Sequence, residues 1–243
     1  MTSRWLWWLV AAVVALEIPY PLVHGSARNA LTVATVLVFA VTSAMHAWLS
    51  SGSRRLAWLI AVGVLGFTAE IIGVHTGVPF GDYRYTGGLG PTVAGVPVVV
   101  GLAWMMMAQP AACVAERMSP GRIRILVAAV ALASWDVFLD PQMVDARHWR
   151  WQHPHPHLPG IGDVPLSNFG GWLLVSLVLM LLLSVARTRP GRDDRPAVTL
   201  WVWTWLSSTL ANLMFFHRPA VAGWGFVAMG LVGLALLRSV IDR

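Results

Sequence analysis

The sequence predicts an all-α integral membrane protein, a bundle of about eight transmembrane helices that forms a single domain over residues 1–243. Hydrophobic residues make up 57% of the chain and charged residues 12%, whereas a soluble domain has roughly 25% charged residues. A helix needs about 20 residues to cross the hydrocarbon core. Seven helices is the alternative count. The eight apolar stretches are residues 5–23, 30–49, 56–75, 95–115, 123–142, 168–187, 198–217 and 220–238.

Sequence signals mark the first predicted helix and the last two. The stretch after Arg4 contains Glu17 and is followed by no Ala-x-Ala cleavage site, so we expect a membrane helix and not a cleaved signal peptide. Pro19 and Pro21 interrupt its end and free carbonyl groups. Glu17 is therefore either a local structural partner or a site residue. The seventh and eighth helices are separated only by residues 217–219, which predicts a tight hairpin.

The arginines predict the orientation of the bundle. Cytoplasmic loops of membrane proteins carry an excess of basic residues, and all basic residues here are Arg. With a cytoplasmic N-terminus, twelve arginines lie on that face: Arg4, Arg54, Arg55, Arg117, Arg122, Arg124, Arg187, Arg189, Arg192, Arg195, Arg238 and Arg243. Five lie on the other: Arg28, Arg84, Arg147, Arg150 and Arg218. We therefore expect a multi-pass protein of the cell membrane with both termini in the cytoplasm.

This orientation brings the polar residues of the predicted helices to one depth. The carboxyl residues and the asparagine concerned lie late in helices that run outward: Glu17, Glu70, Asp136, Asp140 and Asn212. The loops after the third and fifth helices lie on the same side. Residues scattered by chance would not collect in one half of the membrane. The pattern predicts a shared polar pocket that opens toward the outer leaflet.

The composition also excludes several classes of protein. The net charge of +6 comes from arginines in short loops between apolar stretches, so we expect no nucleic-acid partner. The single cysteine, Cys113, excludes an intrachain disulfide framework and a CxxC redox motif.

Three carboxyl groups are the candidate catalytic residues. Glu70 lies within an apolar stretch, where a carboxylate costs ~2.5–3.5 kcal/mol and usually faces the bundle interior; the alternative is a structural hydrogen bond to Arg84 or a neighbouring helix. Asp136 and Asp140 are four residues apart and share one helix face, with Pro141 expected to mark the helix end. Two carboxyl groups this close tend to share one proton, which supplies a neutral carboxylic acid. The alternative is a wetted patch at the helix end.

The loop after the third predicted helix supplies candidate rim residues for the pocket. They are His75, Asp82, Tyr83, Arg84 and Tyr85, and a solvated loop is the alternative for each. Arg84 is suited to hold a carboxylate by a bidentate pair.

The 14 tryptophans fall into two groups. Trp149, Trp151 and Trp172 are among those near span ends, where an aromatic belt is expected. Trp104 and Trp135 lie deeper and are candidates to line a pocket for a flat polyene or to stabilise a carbocation; packing is the alternative.

The remaining polar motifs are expected to be structural. His153, His155 and His157 alternate with prolines, which extend the chain and separate the imidazoles, so no metal site is expected. Ser167 or Asn168 is expected to cap the start of the next helix.

Three motifs resemble one known family. They are E-I-I-G-V-H-T-G-V-P-F-G-D-Y-R-Y with the following L-G-P and G-V-P, then W-D-V-F-L-D-P-Q-M-V, then V-P-L-S-N-F-G-G-W. In this order they resemble the membrane carotenoid hydratases, over about residues 66–175. The resemblance implies a hydro-lyase of carotenoid biosynthesis that adds water across a terminal isopropylidene C=C of an acyclic carotenoid or related isoprenoid.

The carboxyl residues fit that chemistry independently. An alkene has no polar handle, so a strong acid in a dry site must protonate it to a tertiary cation, which water then captures. A neutral carboxyl group beside an ionised one supplies the acid and the base, and such help gives about 10²–10⁴-fold in rate. Either Asp136 or Glu70 is the acid, with Asp140 completing the pair, and Tyr83, Tyr85 and Asn212 are candidates to position the water. No metal or organic cofactor is required.

Two other functions remain open from the sequence. A membrane terpene or carotenoid cyclase would start with the same protonation but capture the cation with an internal alkene. A proton-coupled transporter would also use intramembrane carboxyl groups. Against transport, we find no repeat between the two halves and expect almost no polar residues in the cytoplasmic halves of the helices.

Overall fold

The computed structural model describes residues 4–118, 121–186 and 193–241, with side chains to residue 238. Over these ranges the chain is mostly helical, as predicted. The helices are α1 (Arg4–Glu17), α2 (Gly25–Ser51), α3 (Ser53–Thr76), α4 (Val99–Met118), α5 (Ile123–Ala133), α6 (Asp136–Asp145), α7 (Leu166–Leu183), α8 (Arg195–Met214) and α9 (Pro219–Ile241). A short 3-10 helix, Tyr20–Leu22, follows α1. Arg187, Arg189, Arg192 and Arg243, which support the predicted orientation, lie outside the described residues.

Six helical stretches of the described chain are long and apolar enough to cross a membrane. They are Arg4–Leu22, Gly25–Ser51, Ser53–Thr76, Val99–Met118, Leu166–Leu183 and Pro219–Arg238. The other two predicted stretches behave differently. The fifth is divided into α5 and α6, each too short to cross alone, and the seventh lies in α8, where Trp, Ser and Thr interrupt the apolar residues.

The expected helix end at Pro141 is wrong. Pro141 lies inside α6, which continues to Asp145. The interruption comes earlier, at residues 134 and 135 between α5 and α6. Because proline has no backbone N–H, α6 lacks the bond that residue 141 would otherwise donate to the carbonyl oxygen of Val137.

Helix α4 lies at the centre of the bundle. Most of its residues are buried, and it packs against α2, α3, α5 and α8. Glycines on α3 allow the close approach: a Cβ on Gly63 would lie 2.9 Å from the carbonyl oxygen of Gly101, and one on Gly66 would lie 2.5 Å from Cγ of Trp104. Small residues at helix interfaces commonly serve this purpose. The missing side chain at Gly66 therefore leaves the space that the Trp104 indole occupies.

Two short ribbons cover one end of the bundle. Strand β1 (Tyr83–Tyr85) pairs antiparallel with β4 (Trp149–Trp151), with Tyr83 opposite Trp151 and Tyr85 opposite Trp149. Strands β2 (Thr92–Val93) and β3 (Val96–Pro97) form a second pair. The β1–β4 ribbon joins the loop after α3 to the loop after α6. These two loops therefore lie on the same side of the bundle, as predicted, and their direct pairing was not predicted.

Candidate functional site

A cavity of about 360 Å³ lies beneath the β1–β4 ribbon. Its lining comes from both ends of the chain and from the ribbon itself, and it is largely apolar and aromatic. Pockets for small molecules occupy about 300–1,000 Å³ and combine such walls with a few polar groups. Three predicted carboxyl residues line it: Glu17, Glu70 and Asp140.

Glu70 is held by three hydrogen-bond donors. Tyr83 and Tyr85 donate their hydroxyl groups to Oε2 at 2.5 and 2.9 Å. The indole Nε1 of Trp104 donates to Oε1 at 3.1 Å. Glu70 is buried, so these neutral donors replace the water that its carboxyl group loses. The alternative partner considered from the sequence, Arg84, is not among them.

The alternation of strand β1 explains why the tyrosines reach Glu70. Successive side chains of a strand point to opposite faces, so Tyr83 and Tyr85 share the inner face and Arg84 points outward and is exposed. Burial, and secondly the neighbouring Glu70 carboxylate, raise the pKa of the Tyr83 hydroxyl above its usual range. The pKa of Tyr85 is raised for the same reasons. Both phenols therefore remain protonated donors at neutral pH.

Asp136 and Asp140 meet at Asn168, at the start of α7. The amide nitrogen of Asn168 donates to Oδ2 of Asp136 at 2.7 Å and also to Oδ2 of Asp140. Trp149 donates its indole Nε1 to Oδ1 of Asp140 at 3.1 Å. The side chains of Asp136, Asp140 and Asn168 are all buried. Both aspartates reach Asn168, which confirms that they share one helix face.

The aspartate pair has no cation beside it in the described part of the chain. Oδ1 of Asp136 is buried and has no hydrogen-bond partner within the described chain. The ion pairs of that part of the chain involve other acids: Glu116, Asp145, Asp193 and Asp194. Ionisation of both adjacent carboxyl groups is therefore unfavourable in the resting site.

The β1–β4 ribbon connects Glu70 to the aspartate pair. The Tyr85 ring, which is bonded to Glu70, packs edge-on against Trp149 with ring centres 5.4 Å apart, and Trp149 is bonded to Asp140. Glu70 and Asp140 therefore line one cavity and are linked through Tyr85 and Trp149. Asp136 does not line the cavity and is joined to Asp140 through Asn168. We refer to Glu70, Asp136 and Asp140 as the acid cluster.

Three tryptophans form the wall next to the acid cluster. Trp104 stacks on Trp172 with ring centres 3.9 Å apart and planes at 20°. Trp135 packs edge-on against Trp172 at 6.0 Å. All three line the cavity. Indole faces attract cations, so this wall is suited to a ligand that carries or develops positive charge.

Glu17 lies in another part of the cavity. Its Oε2 accepts a hydrogen bond of 2.6 Å from the Trp203 indole, which links the end of α1 to α8. Both residues line the cavity. Glu17 therefore shares the cavity with the acid cluster but has its own hydrogen-bond partner.

Four predicted rim or binding residues do not line the cavity. His75, Asp82 and Arg84 are exposed. Asn212 is buried, but its amide nitrogen donates to the carbonyl oxygen of Ser208 at 2.9 Å, one turn earlier in the same helix. The structure thus brings together the acids, Tyr83, Tyr85, Trp104 and Trp135, and leaves these four polar residues outside.

Sequence reasoning missed four residues of the site. The expected capping role of Ser167 or Asn168 is wrong, because Pro165 occupies the cap position of α7 with no side-chain bond. Trp149, Trp151 and Trp172 line the cavity and do not belong to an exposed belt. A signal was present: Tyr-Arg-Tyr and Trp-Arg-Trp share an alternation of aromatic and charged residues that is typical of paired strands.

The described residues contain no cluster of three or more His, Cys, Asp or Glu side chains able to hold a metal ion. His153, His155 and His157 lie in the loop between β4 and α7. None of them lines the cavity.

A family model described as carotenoid biosynthesis protein matches residues 30–239. Bisanhydrobacterioruberin hydratase of Haloarcula japonica is 28% identical over 190 residues, which are 70% of this chain. The match spans 61% of the length of that curated relative. No solved structure matches the chain.

Proposed function

The chain belongs to the carotenoid biosynthesis protein family, as its motifs predict, and on that premise we propose that it is a carotenoid hydratase. It adds water to a terminal isopropylidene C=C of an acyclic carotenoid or a related isoprenoid. One observation supports this above all: Asp140 and Glu70 line the same aromatic cavity, and the described chain places no cation against them. Such a cavity excludes bulk water and still holds a proton donor and a proton acceptor.

The aspartate pair is the proposed acid. Asp140 borders the cavity and Asp136 shares a proton with it, so Asp140 delivers that proton to the terminal alkene. The C=C π bond breaks, a C–H bond forms at the less substituted carbon, and a tertiary cation results. Asn168 donates hydrogen bonds to both carboxyl groups and holds them in position as the pair gains negative charge.

Glu70 is the proposed base. It lacks a carboxyl neighbour in direct contact, and its three hydrogen-bond donors partly offset the cost of holding a buried negative charge. A water molecule attacks the cation, a C–O bond forms, and the proton released passes to Glu70. Transfer of a proton from Glu70 back to the aspartate pair, through water in the cavity, restores the starting state. The faces of Trp104, Trp135 and Trp172 stabilise the cation.

The wider architecture completes the proposal. We take α5 and α6 together as one interrupted crossing and α8 as another, which gives eight crossings in a single domain of the cell membrane. Both termini then lie in the cytoplasm. No cofactor takes part, and the partners are the isoprenoid, water and the bilayer.

Cyclisation is the second candidate, favoured by the same aromatic wall. In that case an internal alkene captures the cation and the product has the mass of the substrate.

Transport is less well supported. The sequence predicted almost no polar residues in the cytoplasmic halves of the helices. This prediction is wrong, because His46, Arg55 and Gln109 are buried at that end of the bundle. These residues bond to one another and do not line the cavity.

Expression in a host that accumulates lycopene, followed by mass analysis of the pigments, tests the proposal. Hydration yields pigments that are heavier by one or two water molecules. Pigments of unchanged mass but altered retention support cyclisation. Unmodified lycopene and unmodified longer acyclic carotenoids would refute the hydratase proposal for these substrates.

A further inference from the structure

Within the described chain, the cavity lining reaches the outside of the bundle where α1 and α8 meet. Among the described residues that line the cavity, the exposed ones are Ile18, Leu210 and Phe215, and the others are buried or half-buried. Ile18 directly follows α1, Leu210 lies in the second half of α8, and Phe215 directly follows α8. We call these three residues the rim.

The rim has the chemistry of an opening toward lipid. Its side chains are aliphatic or aromatic, with 59%, 56% and 47% of their surface exposed in chain order. The exposed residues Leu206, Leu213 and Met214 are three or four residues from Leu210, so they extend the same apolar face along α8. A molecule that is dissolved in the bilayer therefore meets apolar side chains where it enters the cavity.

Helix α1 is held more weakly than the helices around α4. The stretch that contains it, Arg4–Leu22, is the least buried of the six candidate membrane spans. Within α1 the buried residues are Leu6, Val10 and Val13, and the helix packs more extensively on α2 than on α8. The indole of Trp203 on α8 donates to Glu17 at the end of α1 at 2.6 Å. This bond crosses the gap between the two helices.

The cavity is too small for a complete carotenoid. Its volume of about 360 Å³ lies near the lower end of the range for small-molecule pockets, about 300–1,000 Å³. A conjugated polyene of carotenoid length is about as long as the hydrocarbon core of a bilayer is thick, ~30 Å. The reacting end group therefore fits beside the acid cluster, and the rest of the chain must extend out of the cavity.

We propose that the carotenoid enters from the bilayer through the gap between α1 and α8, and that its conjugated chain stays in this gap while the end group reacts. This inference rests on the proposed function. The bond from Trp203 to Glu17 closes the gap in the empty protein, and it breaks when α1 moves away from α8 to admit the end group. The rim then contacts the conjugated chain, while Trp104, Trp135 and Trp172 contact the end group.

Fluorescent labels at the rim test where the polyene lies. Ile18→Cys and Leu210→Cys each place a label in the rim. The control Leu177→Cys labels an exposed residue of α7 that does not line the cavity. The native Cys113 is buried, and the chain without an introduced cysteine gives the background labelling. Each labelled protein is reconstituted in phosphatidylcholine vesicles and titrated with lycopene, whose conjugated chain quenches nearby fluorophores.

We expect saturable quenching at both rim positions and, at residue 177, only the non-saturating quenching by dissolved lycopene. Equal quenching curves at the rim and at residue 177 would overturn the proposed entrance. Tryptophan fluorescence reports binding independently, and its saturable quenching without a saturable signal at the rim would also overturn the entrance. No saturable quenching at any position would overturn the entrance and the proposed function together. Saturable quenching at the rim without hydrated product would leave the entrance standing and refute the proposed reaction for lycopene.

The closing role of the bond is tested by Trp203→Phe, which keeps an aromatic ring but removes the donor to Glu17. The matched control Trp205→Phe removes an indole bond to the carbonyl oxygen of Phe226, which joins α8 to α9. Stopped-flow quenching measures the association rate of lycopene. We expect association to be about 3- to 10-fold faster in Trp203→Phe, the factor for one hydrogen bond, and unchanged in Trp205→Phe. An unchanged rate in Trp203→Phe, or an equal increase in both variants, would overturn the closing role.

Discussion

The two ends of helices α3 and α4 carry buried polar clusters of opposite design. At one end is the acid cluster. At the other is an arginine cluster, which we define as Arg55, Gln109, Glu116 and His46. Arg55 and Glu70 are separated by about 22 Å along α3, at 1.5 Å per residue.

The arginine cluster is internally compensated. Arg55 is fully buried and donates to Gln109 at 2.9 Å, to Glu116 at 3.1 Å and to the carbonyl oxygen of Ala186, beyond the end of α7, at 2.7 Å. Gln109 bonds to Nδ1 of His46 at 3.0 Å. The cluster therefore contains both charges of an ion pair, and none of its members lines the cavity.

The acid cluster has no such compensation. Its donors are an amide, two phenols and two indoles, all neutral. A buried carboxylate without a cation is costly, so this cluster must retain protons. Polarity in the membrane interior therefore does not by itself indicate function. The informative features are an uncompensated charge and a cavity beside it.

Replacement of the acids should give the largest effect, and it tests directly whether the acid cluster and not the arginine cluster carries the proposed activity. Asp140→Asn, Asp136→Asn and Glu70→Gln preserve shape but remove proton transfer, so each should lower the rate of product formation by about 10²–10⁴-fold. The measurement is pigment composition over time, with protein amount determined by immunoblot. Glu116→Gln, the matched change in the arginine cluster, should retain activity. Full activity in all three acid variants would show that the site is elsewhere.

Removal of the buried cation gives the next largest effect, and it acts on stability. Arg55→Met leaves Glu116, whose side chain is only 15% exposed, without its partner and removes the donor that joins α3 to α4 and to the end of α7. Breaking a buried pair in this way costs about 3–5 kcal/mol. Thermal unfolding in detergent should show a large loss of stability, and the protein that remains folded should keep its turnover number. A lower turnover number with unchanged stability would contradict the assigned structural role.

A change at Asn168 tests how much the shared donor contributes relative to the two aspartates themselves. Asn168→Ala removes the one donor that both aspartates share, and an unsatisfied buried group costs about 1–3 kcal/mol. Activity should fall about 10- to 100-fold, less than in the aspartate variants, because the two carboxyl groups remain. Asn168→Gln, which keeps the amide but shifts it, serves as the conservative control. An unchanged rate in Asn168→Ala would mean that α6 alone positions the pair.

The tyrosines give the smallest effect and a pH signature. The pKa values of Tyr83 and Tyr85 are raised above the usual value of about 10, so the unfolded chain loses these protons first as pH rises. The two tyrosines therefore contribute their full stabilisation below about pH 10, and this contribution is lost as the pH rises above that value. Tyr85→Phe should lower stability by about 1 kcal/mol at neutral pH and make the alkaline loss shallower. Unfolding curves between pH 8 and pH 11 measure both, and a steeper alkaline loss in the variant would contradict the raised pKa.

The sequence predicted the helices and the three acids because both follow from local rules. Length and hydropathy place helices in a membrane, and a carboxyl group in an apolar stretch is conspicuous. The separation of α5 from α6 was not predicted, because residues 134 and 135 include neither proline nor glycine. Tertiary contacts decide that interruption, including the bond from Trp201 to the carbonyl oxygen of Ala131 at 3.1 Å.

The partners of the acids could not be derived from local rules. Asn168 follows Pro165 by three residues and resembles a helix cap, and Trp149 resembles an interfacial residue. The role of Trp149 depends on a strand pairing between residues more than sixty positions apart in the chain. The role of Asn168 depends on its bonds to the two aspartates of α6. The alternation in Tyr-Arg-Tyr and Trp-Arg-Trp was the available signal. The glycine-rich sequence after the first triplet does not indicate which residues of the two strands pair.

The β1–β4 ribbon has a consequence for biogenesis. Strand β1 leaves the ribosome well before β4, and Tyr83 and Tyr85 have no strand partner until β4 has been synthesised. Until then Asp140 lacks both Trp149 and Asn168. The acid cluster therefore acquires its full set of hydrogen-bond donors only when the start of α7 has been synthesised, and chains truncated before α7 lack Asn168.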